Sequence, residues 1–89
     1  MEVKEAVARA KRYVGDLFAE EQPSDLGLEE VEFDDASGEW RVTIGFARPW
    51  EKDGRYLPDI FPLRRAYKVV RIADGTGVIK SVKTLAHPS

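Results

Sequence analysis

The chain contains no cysteine, which excludes disulfide staples and thiolate metal sites. It contains no apolar run near the roughly 20 residues that a membrane-spanning helix requires. Its first residues, Met-Glu-Val-Lys-Glu, hold no apolar signal core. Small secreted domains usually depend on disulfides, so these absences point to a soluble, cytoplasmic protein with no membrane partner. Histidine occurs once, as His87, and its place in the C-terminal tail reads as a solvated residue rather than a catalyst. A phosphate loop is missing too: Gly75 and Gly77 sit between two strand-like runs, not ahead of a helix. Ser24, Ser37 and Ser81 have no neighbouring base motif. Asp34, Asp35 and Glu39 lack the spacing of a calcium loop. The expectation is a non-enzyme that needs no cofactor and no metal.

What is present is one domain. Eighty-nine residues with 43% hydrophobic and 34% charged side chains describe an ordinary globular chain, 1–89. Net charge is −2, but its distribution is uneven. Residues 1–44 carry 5 basic and 12 acidic side chains; residues 45–89 carry 9 basic and 4 acidic. From Glu20 to Glu39 there are nine acids and no base. Such polarity either steers a charged partner or is neutralised when the halves fold together. Arg48, Lys52, Arg55, Arg64 and Arg65 frame aromatic residues in a pattern that suits single-stranded nucleic acid. The sequence pI near 5.4 and the acidic first half make that partner unfavoured.

Hydrophobic spacing predicts a helix over 2–21. Val3, Ala6, Val7, Ala10, Val14, Leu17 and Phe18 form one stripe of a 3.6-residue period, and Pro23 ends it. Gly15 inside this stripe suggests a close approach by another element. Over 39–47, Trp40, Val42, Ile44 and Phe46 alternate with smaller or polar residues, the period of a strand. Val31 and Phe33 alternate with Glu30 and Glu32 just before it. Asp35-Ala36-Ser37-Gly38 is turn chemistry, so 28–47 reads as a hairpin. Pairing Asp34 with Glu39 places Phe33 opposite Trp40, Val31 opposite Val42 and Glu32 opposite Arg41.

A second hairpin is predicted over 66–84, turning at Asp74-Gly75-Thr76-Gly77. It repeats the first: Val31 to Arg41 aligns with Val70 to Lys80, an offset of 39 residues. The shared pattern arises either by internal duplication or by convergence on good hairpin chemistry. The repeat assigns Val70, Ile72 and Ile79 to the core face, and Tyr67, Val69, Val78 and Val82 to the other face. With Thr43, Gly45 and Ala47, that other face offers an apolar area that one helix cannot cover.

Between the hairpins lies a loop, 49–65, with Pro49, Pro58 and Pro62. Prolines exclude a regular helix or a central strand there. The loop also contains Trp50, Tyr56, Leu57, Ile60, Phe61 and Leu63, unlike a solvated linker. Aromatics and arginine anchor interfaces, so Trp50, Tyr56, Phe61, Arg64, Arg65 and Tyr67 are the candidate protein-binding residues. The competing reading makes the loop a lid over a small core.

The order helix, hairpin, hairpin, with Tyr67-x-Val69 leading into Asp74-Gly75-Thr76-Gly77, resembles the PepSY family. The resemblance implies a helix packed on an antiparallel sheet, broadly cystatin-like, and a non-catalytic regulatory or inhibitory role. The residues themselves predict an α+β fold: one N-terminal helix on a four-stranded, mainly antiparallel sheet made of two hairpins. Its core is expected to join Trp40, Val42, Ile44, Phe46, Val31 and Phe33 to Val7, Val14, Leu17 and Phe18. The functional expectation is a module that binds a protein partner or a second copy of itself. The alternative is a small-ligand-binding domain or small enzyme with a pocket between the sheet and loop 49–65.

Overall fold

A computed structural model describes residues 1–49 and 65–85. It is an α+β arrangement of one helix, α1 (Val3–Leu17), and four strands: β1 (Ser24–Asp34), β2 (Glu39–Ala47), β3 (Ala66–Ala73) and β4 (Ile79–Thr84). The strands form one sheet in the order β1-β2-β3-β4, every pair antiparallel. Loop 49–65 therefore joins two neighbouring strands.

The helix stripe behaves as its period dictates. Ala6, Ala10 and Val14 face the sheet and are fully buried. Glu5 lies in the first turn, where a negative charge suits the helix dipole, and it pairs with Arg9 at 3.2 Å. The helix is shorter than the expected 2–21. Phe18 leaves the α-helical conformation, and a 3-10 turn follows at Ala19–Glu21. Gln22 in the left-handed region then ends the element ahead of Pro23. The departure places the Phe18 ring 5.8 Å from that of Phe46. Leu17, expected in the core, is instead 53% exposed. Nor does Gly15 mark a close approach, since a methyl group there would meet nothing within 4 Å.

The first hairpin has the predicted register: Asp34 pairs with Glu39, Phe33 with Trp40, Glu32 with Arg41 and Val31 with Val42. Its turn is closed by Gly38 N–H donating to Asp34 O at 2.9 Å. The second turn is closed equivalently by Gly77 N–H donating to Ala73 O at 2.8 Å. Both glycines have positive φ, 68° and 74°, and they stand at corresponding places in the 39-residue repeat. The turns lie side by side, with Asp74 N–H donating to Gly38 O at 3.0 Å. Across them, Trp40 Nε1 donates to Asp74 Oδ1 at 2.9 Å. That contact holds the Asp74 carboxyl below its ordinary pKa, and the nearby Met1 ammonium at 3.2 Å adds to the effect.

The core lies between α1 and the central strands. Val42, Ile44, Phe46, Val70 and Ile72 are wholly buried with Ala6, Ala10 and Val14. Trp40 and Val31 pack only at its edge, and Phe33 is 40% exposed although its ring lies 5.0 Å from that of Trp40. The expected core was thus displaced toward β1. With the order β1-β2-β3-β4, β1 is an edge strand, and the helix packs across β1, β2 and β3.

A correction also concerns β4. Val82 pairs with Val70 and packs against the core, not on the opposite face. A register shift beyond Arg71 and Ser81 brings Ile79 opposite Ile72. One extra residue in β4 lets Ile79 and Val82, three apart, face the helix side together. Val78 belongs to the turn and is 55% exposed. Lys68 stands on the same inner face, buried, with Nζ 4.6 Å from the centre of the Phe18 ring and donating to Thr84 Oγ1 at 2.9 Å.

Candidate functional site

The helix covers one face of the sheet. Register places four rows of side chains on the other, or outer, face. Nearest the turns are Asp34 and Glu39, followed by Glu32, Arg41, Arg71 and Ser81. Next come Glu30, Thr43, Val69 and Lys83, then Gly27, Gly45 and Tyr67, with Leu85 beside Tyr67 through its N–H bond to Tyr67 O at 2.9 Å.

The first two rows carry a set of ion pairs. Arg41 lies 3.3 Å from Glu32 and 3.4 Å from Asp34, and Arg71 Nη2 is 2.6 Å from Glu39 Oε1. Asp34 also receives the Ser37 hydroxyl and the Ala36 N–H; Ser37 is the principal reason its pKa lies below the ordinary value. Arg71–Glu39, Arg48–Glu21 at 3.4 Å and Arg65–Glu29 at 3.8 Å each join the basic half of the chain to its acidic half. Mutual neutralisation thus accounts for part of the charge asymmetry.

The small residues of the outer face have a different purpose from the one their size suggested. Arg65 precedes β3 and extends across the sheet toward β1. A methyl group on Gly45 would stand 3.2 Å from Arg65 Nε and 2.7 Å from Glu29 Oε2; one on Gly27 would stand 3.8 Å from Arg65 Nη2. The two glycines therefore clear a channel for the guanidinium. At its end Arg65 Nη2 donates to Asp25 O at 2.7 Å. Asp25 has φ 55° and sits within a register shift of β1 between Ser24 and Gly27. Such an irregularity interrupts the ladder, and Arg65 takes the carbonyl that it presents.

Beside this channel is an open pocket of about 280 Å³ lined by Glu29, Glu30, Thr43, Tyr67 and Leu85. A second register shift of β1, between Leu28 and Glu30, builds it. In a regular strand, consecutive residues point to opposite faces. Here Leu28 pairs with Ile44 on the inner side and Glu30 with Thr43 on the outer, so the extra residue, Glu29, can line the pocket with Glu30. Thr43 is 7% exposed, and its hydroxyl has no hydrogen-bond partner among the described residues.

Of the residues predicted from sequence, Arg65 and Tyr67 come together on this face. Trp50, Tyr56, Phe61 and Arg64 lie outside the described residues. Sequence reasoning missed Glu29, Glu30 and Thr43, because a bulge leaves no mark in composition. Among the described residues, no group of three or more His, Asp or Glu side chains could hold a metal ion. No helix there is long and apolar enough to cross a membrane. No family model matches the chain, and neither does any curated protein or solved structure.

Proposed function

We propose that this chain is a non-catalytic, protein-binding or regulatory module that docks its partner on the outer face of the sheet. The observation that carries the reading is the pocket beside Tyr67, on the face opposite α1. Tyrosine and arginine are favoured anchors at protein interfaces, and here Arg65 and Tyr67 flank a polar and apolar surface that ion pairs do not fill. The partner is another protein or a second copy of the chain. Nothing in this role requires a cofactor, and a regulatory domain of the PepSY kind would work in the same non-catalytic way.

The test compares wild type with an Arg65→Ala, Tyr67→Ala double variant whose far-UV spectrum and unfolding midpoint are checked first. Affinity capture from cell lysate and sedimentation equilibrium follow. A partner or a self-association present in wild type and lost in the folded variant supports the reading. Equal capture and equal association by both proteins place the binding surface elsewhere and refute it.

One observation favours a second reading, that of a small-ligand-binding domain. The pocket sets Tyr67 and Leu85 beside the polar side chains of Glu29, Glu30 and Thr43, and ligand sites combine apolar walls with a few such polar groups. A thermal-shift screen of small amines and other polar metabolites separates this reading from the first.

A further inference from the structure

Under the 39-residue repeat, β1 corresponds to β3 and β2 to β4. Inside the chain the two hairpins join along β2 and β3, with Trp40 opposite Ile72 and Val42 opposite Val70. Among the described residues, β1 and β4 are the edges of the sheet. The open edges are therefore the repeat counterparts of the two strands that make the join.

Their backbone groups are in phase for pairing. Along an antiparallel strand, successive residues turn their N–H and C=O to alternate sides. Asp34 O accepts from Gly38 N–H, so Asp34, Glu32 and Glu30 turn toward β2, while Val31 and Phe33 turn to the open edge. On β4, Leu85 N–H donates to Tyr67 O. Lys83 and Ser81, opposite Val69 and Arg71, turn toward β3 in the same way, and Val82 turns to the open edge. Val31 set against Val82 of a second copy thus matches donors to acceptors. The faces match as well: Val31, Phe33, Ile79 and Val82 all lie on the helix side, and the half-exposed Phe33 would gain Ile79 as a neighbour. Four antiparallel strands in one sheet bring β4 of a second copy, held in the same orientation, antiparallel to β1. Four spacings of about 4.8 Å then separate successive helices by about 19 Å, more than a helix width of about 10–12 Å.

Charge selects between the possible pairings. β1 carries five acids and no base, and β4 two lysines and no acid. Charged edges deter strand pairing, and here they deter like edges: β1 on β1 sets acid against acid, β4 on β4 lysine against lysine. β1 on β4 sets Glu30 opposite Lys83, with Lys80 near Glu32. Glu30, Lys80 and Lys83 are exposed and form no ion pair among the described residues. Glu30 and Lys83 would make a non-hydrogen-bonded pair, the kind whose side chains stand closest.

We infer that the β1 edge is the docking site for β4 of a second copy of this chain, antiparallel, with Val31 against Val82 and Glu30 against Lys83 of that copy. The pairing uses the strand edge rather than the pocket beside Tyr67, so either surface can fail without the other. It is heterologous, so an edge stays open at each end and growth continues past a dimer.

The test follows the full chain by sedimentation velocity over a concentration series at low and high salt, with amide hydrogen exchange at both ends of the series. Wild type is expected to grow past a dimer, less so at high salt. The Val31, Phe33 and Val82 amides should gain protection with concentration, while the Glu32 amide keeps the protection it has inside the sheet. Glu30→Lys and Lys83→Glu, both at exposed positions and checked by unfolding midpoint, should each weaken association about tenfold. Their equimolar mixture, and one chain carrying both changes, should recover it. A chain that stays monomeric throughout overturns the inference, as does association that stops at a dimer or ignores both charge reversals. Association lost only in the Arg65→Ala, Tyr67→Ala variant belongs to the outer face; it overturns the edge pairing and leaves the docking reading intact.

Discussion

Phe46 and Phe33 are both phenylalanines on the inner face of the first hairpin, yet they should differ severalfold in what they contribute. Phe46 is wholly buried between Phe18 and the sheet; Phe33 is 40% exposed on an edge strand. Removing a fully buried phenylalanine side chain costs about 3–5 kcal/mol, because the lost transfer energy is joined by an unfilled cavity. At Phe33 the truncation removes a partial burial and one aromatic pair, together about 1–2 kcal/mol, and water can occupy the space. A domain of this size has a total stability of about 4–13 kcal/mol. Phe46→Ala should therefore consume much of the margin and lower the melting temperature by more than about 10 °C, while Phe33→Ala remains comfortably folded. Urea titrations of both variants, with slopes compared to wild type, measure the difference. A Phe33→Ala loss equal to that of Phe46→Ala would refute a core centred on β2 and β3.

Other consequences are local. Gly77 has φ 74°, and a methyl group there would lie 2.8 Å from the Arg9 guanidinium. Gly77→Ala should cost about 1–2 kcal/mol, whereas Gly75→Ala, with open space around it, should be neutral or slightly stabilising by thermal melting. Gly45→Ala would press on the ends of Glu29 and Arg65, which can swing aside. The gain from replacing glycine in a strand, about 0.5–1 kcal/mol, offsets an exposed ion pair of similar or smaller worth. Stability should stay within about 1 kcal/mol while the Arg65 bond to Asp25 O is lost; a fall beyond about 2 kcal/mol would mean that backbone, not side-chain ends, occupies the space. Asp74 has a depressed pKa through Trp40 and the Met1 ammonium. Its stabilising contribution is present above the ordinary aspartate range and disappears as pH falls through the lower folded value. Asp74→Asn should flatten the stability profile below about pH 4 and leave its shape at neutral pH unchanged, as denaturation midpoints across acidic pH would report.

Local chemistry explains why so much of the fold could be read from residues alone. The pairing of Asp34 with Glu39 follows from a turn that must place its glycine at positive φ. Strand alternation then carries the register outward to Val31 and Val42. The second turn obeys the same rule at Gly77. The position of the core was less legible because it depends on which strands are central. Phe33 and Trp40 face each other at the turn end of the first hairpin, with Phe33 on the edge strand β1, so full burial passes to Val42, Ile44, Phe46, Val70 and Ile72 of the central strands. Leu17 belongs to the apolar stripe yet faces outward at the last helical turn, where the chain leaves the α-helix at Phe18.

The errors on the outer face share one cause. A period-two reading assigns every residue from a single starting phase, and a β-bulge resets that phase without changing composition. In β4 the reset moves Val82 from the outer face to the core, which removes part of the apolar surface expected outside. In β1 the reset between Leu28 and Glu30 does the opposite, adding Glu29 to the outer face beside Glu30. An area expected to be apolar thus becomes an open pocket lined in part by two carboxylates. The outer surface changes accordingly, from a broad apolar patch to one in which charged side chains stand beside Tyr67 and Leu85. Deleting Glu29 would restore regular alternation in β1, leaving Leu28 opposite Ile44 and Gly27 opposite Gly45 and removing only the extra carboxylate from the outer face. The shortened strand should keep both the Val31–Val42 and the Gly27–Gly45 pairings, as cross-strand contacts between backbone protons would report; loss of the Gly27–Gly45 pairing alone would refute a bulge of one extra residue at Glu29.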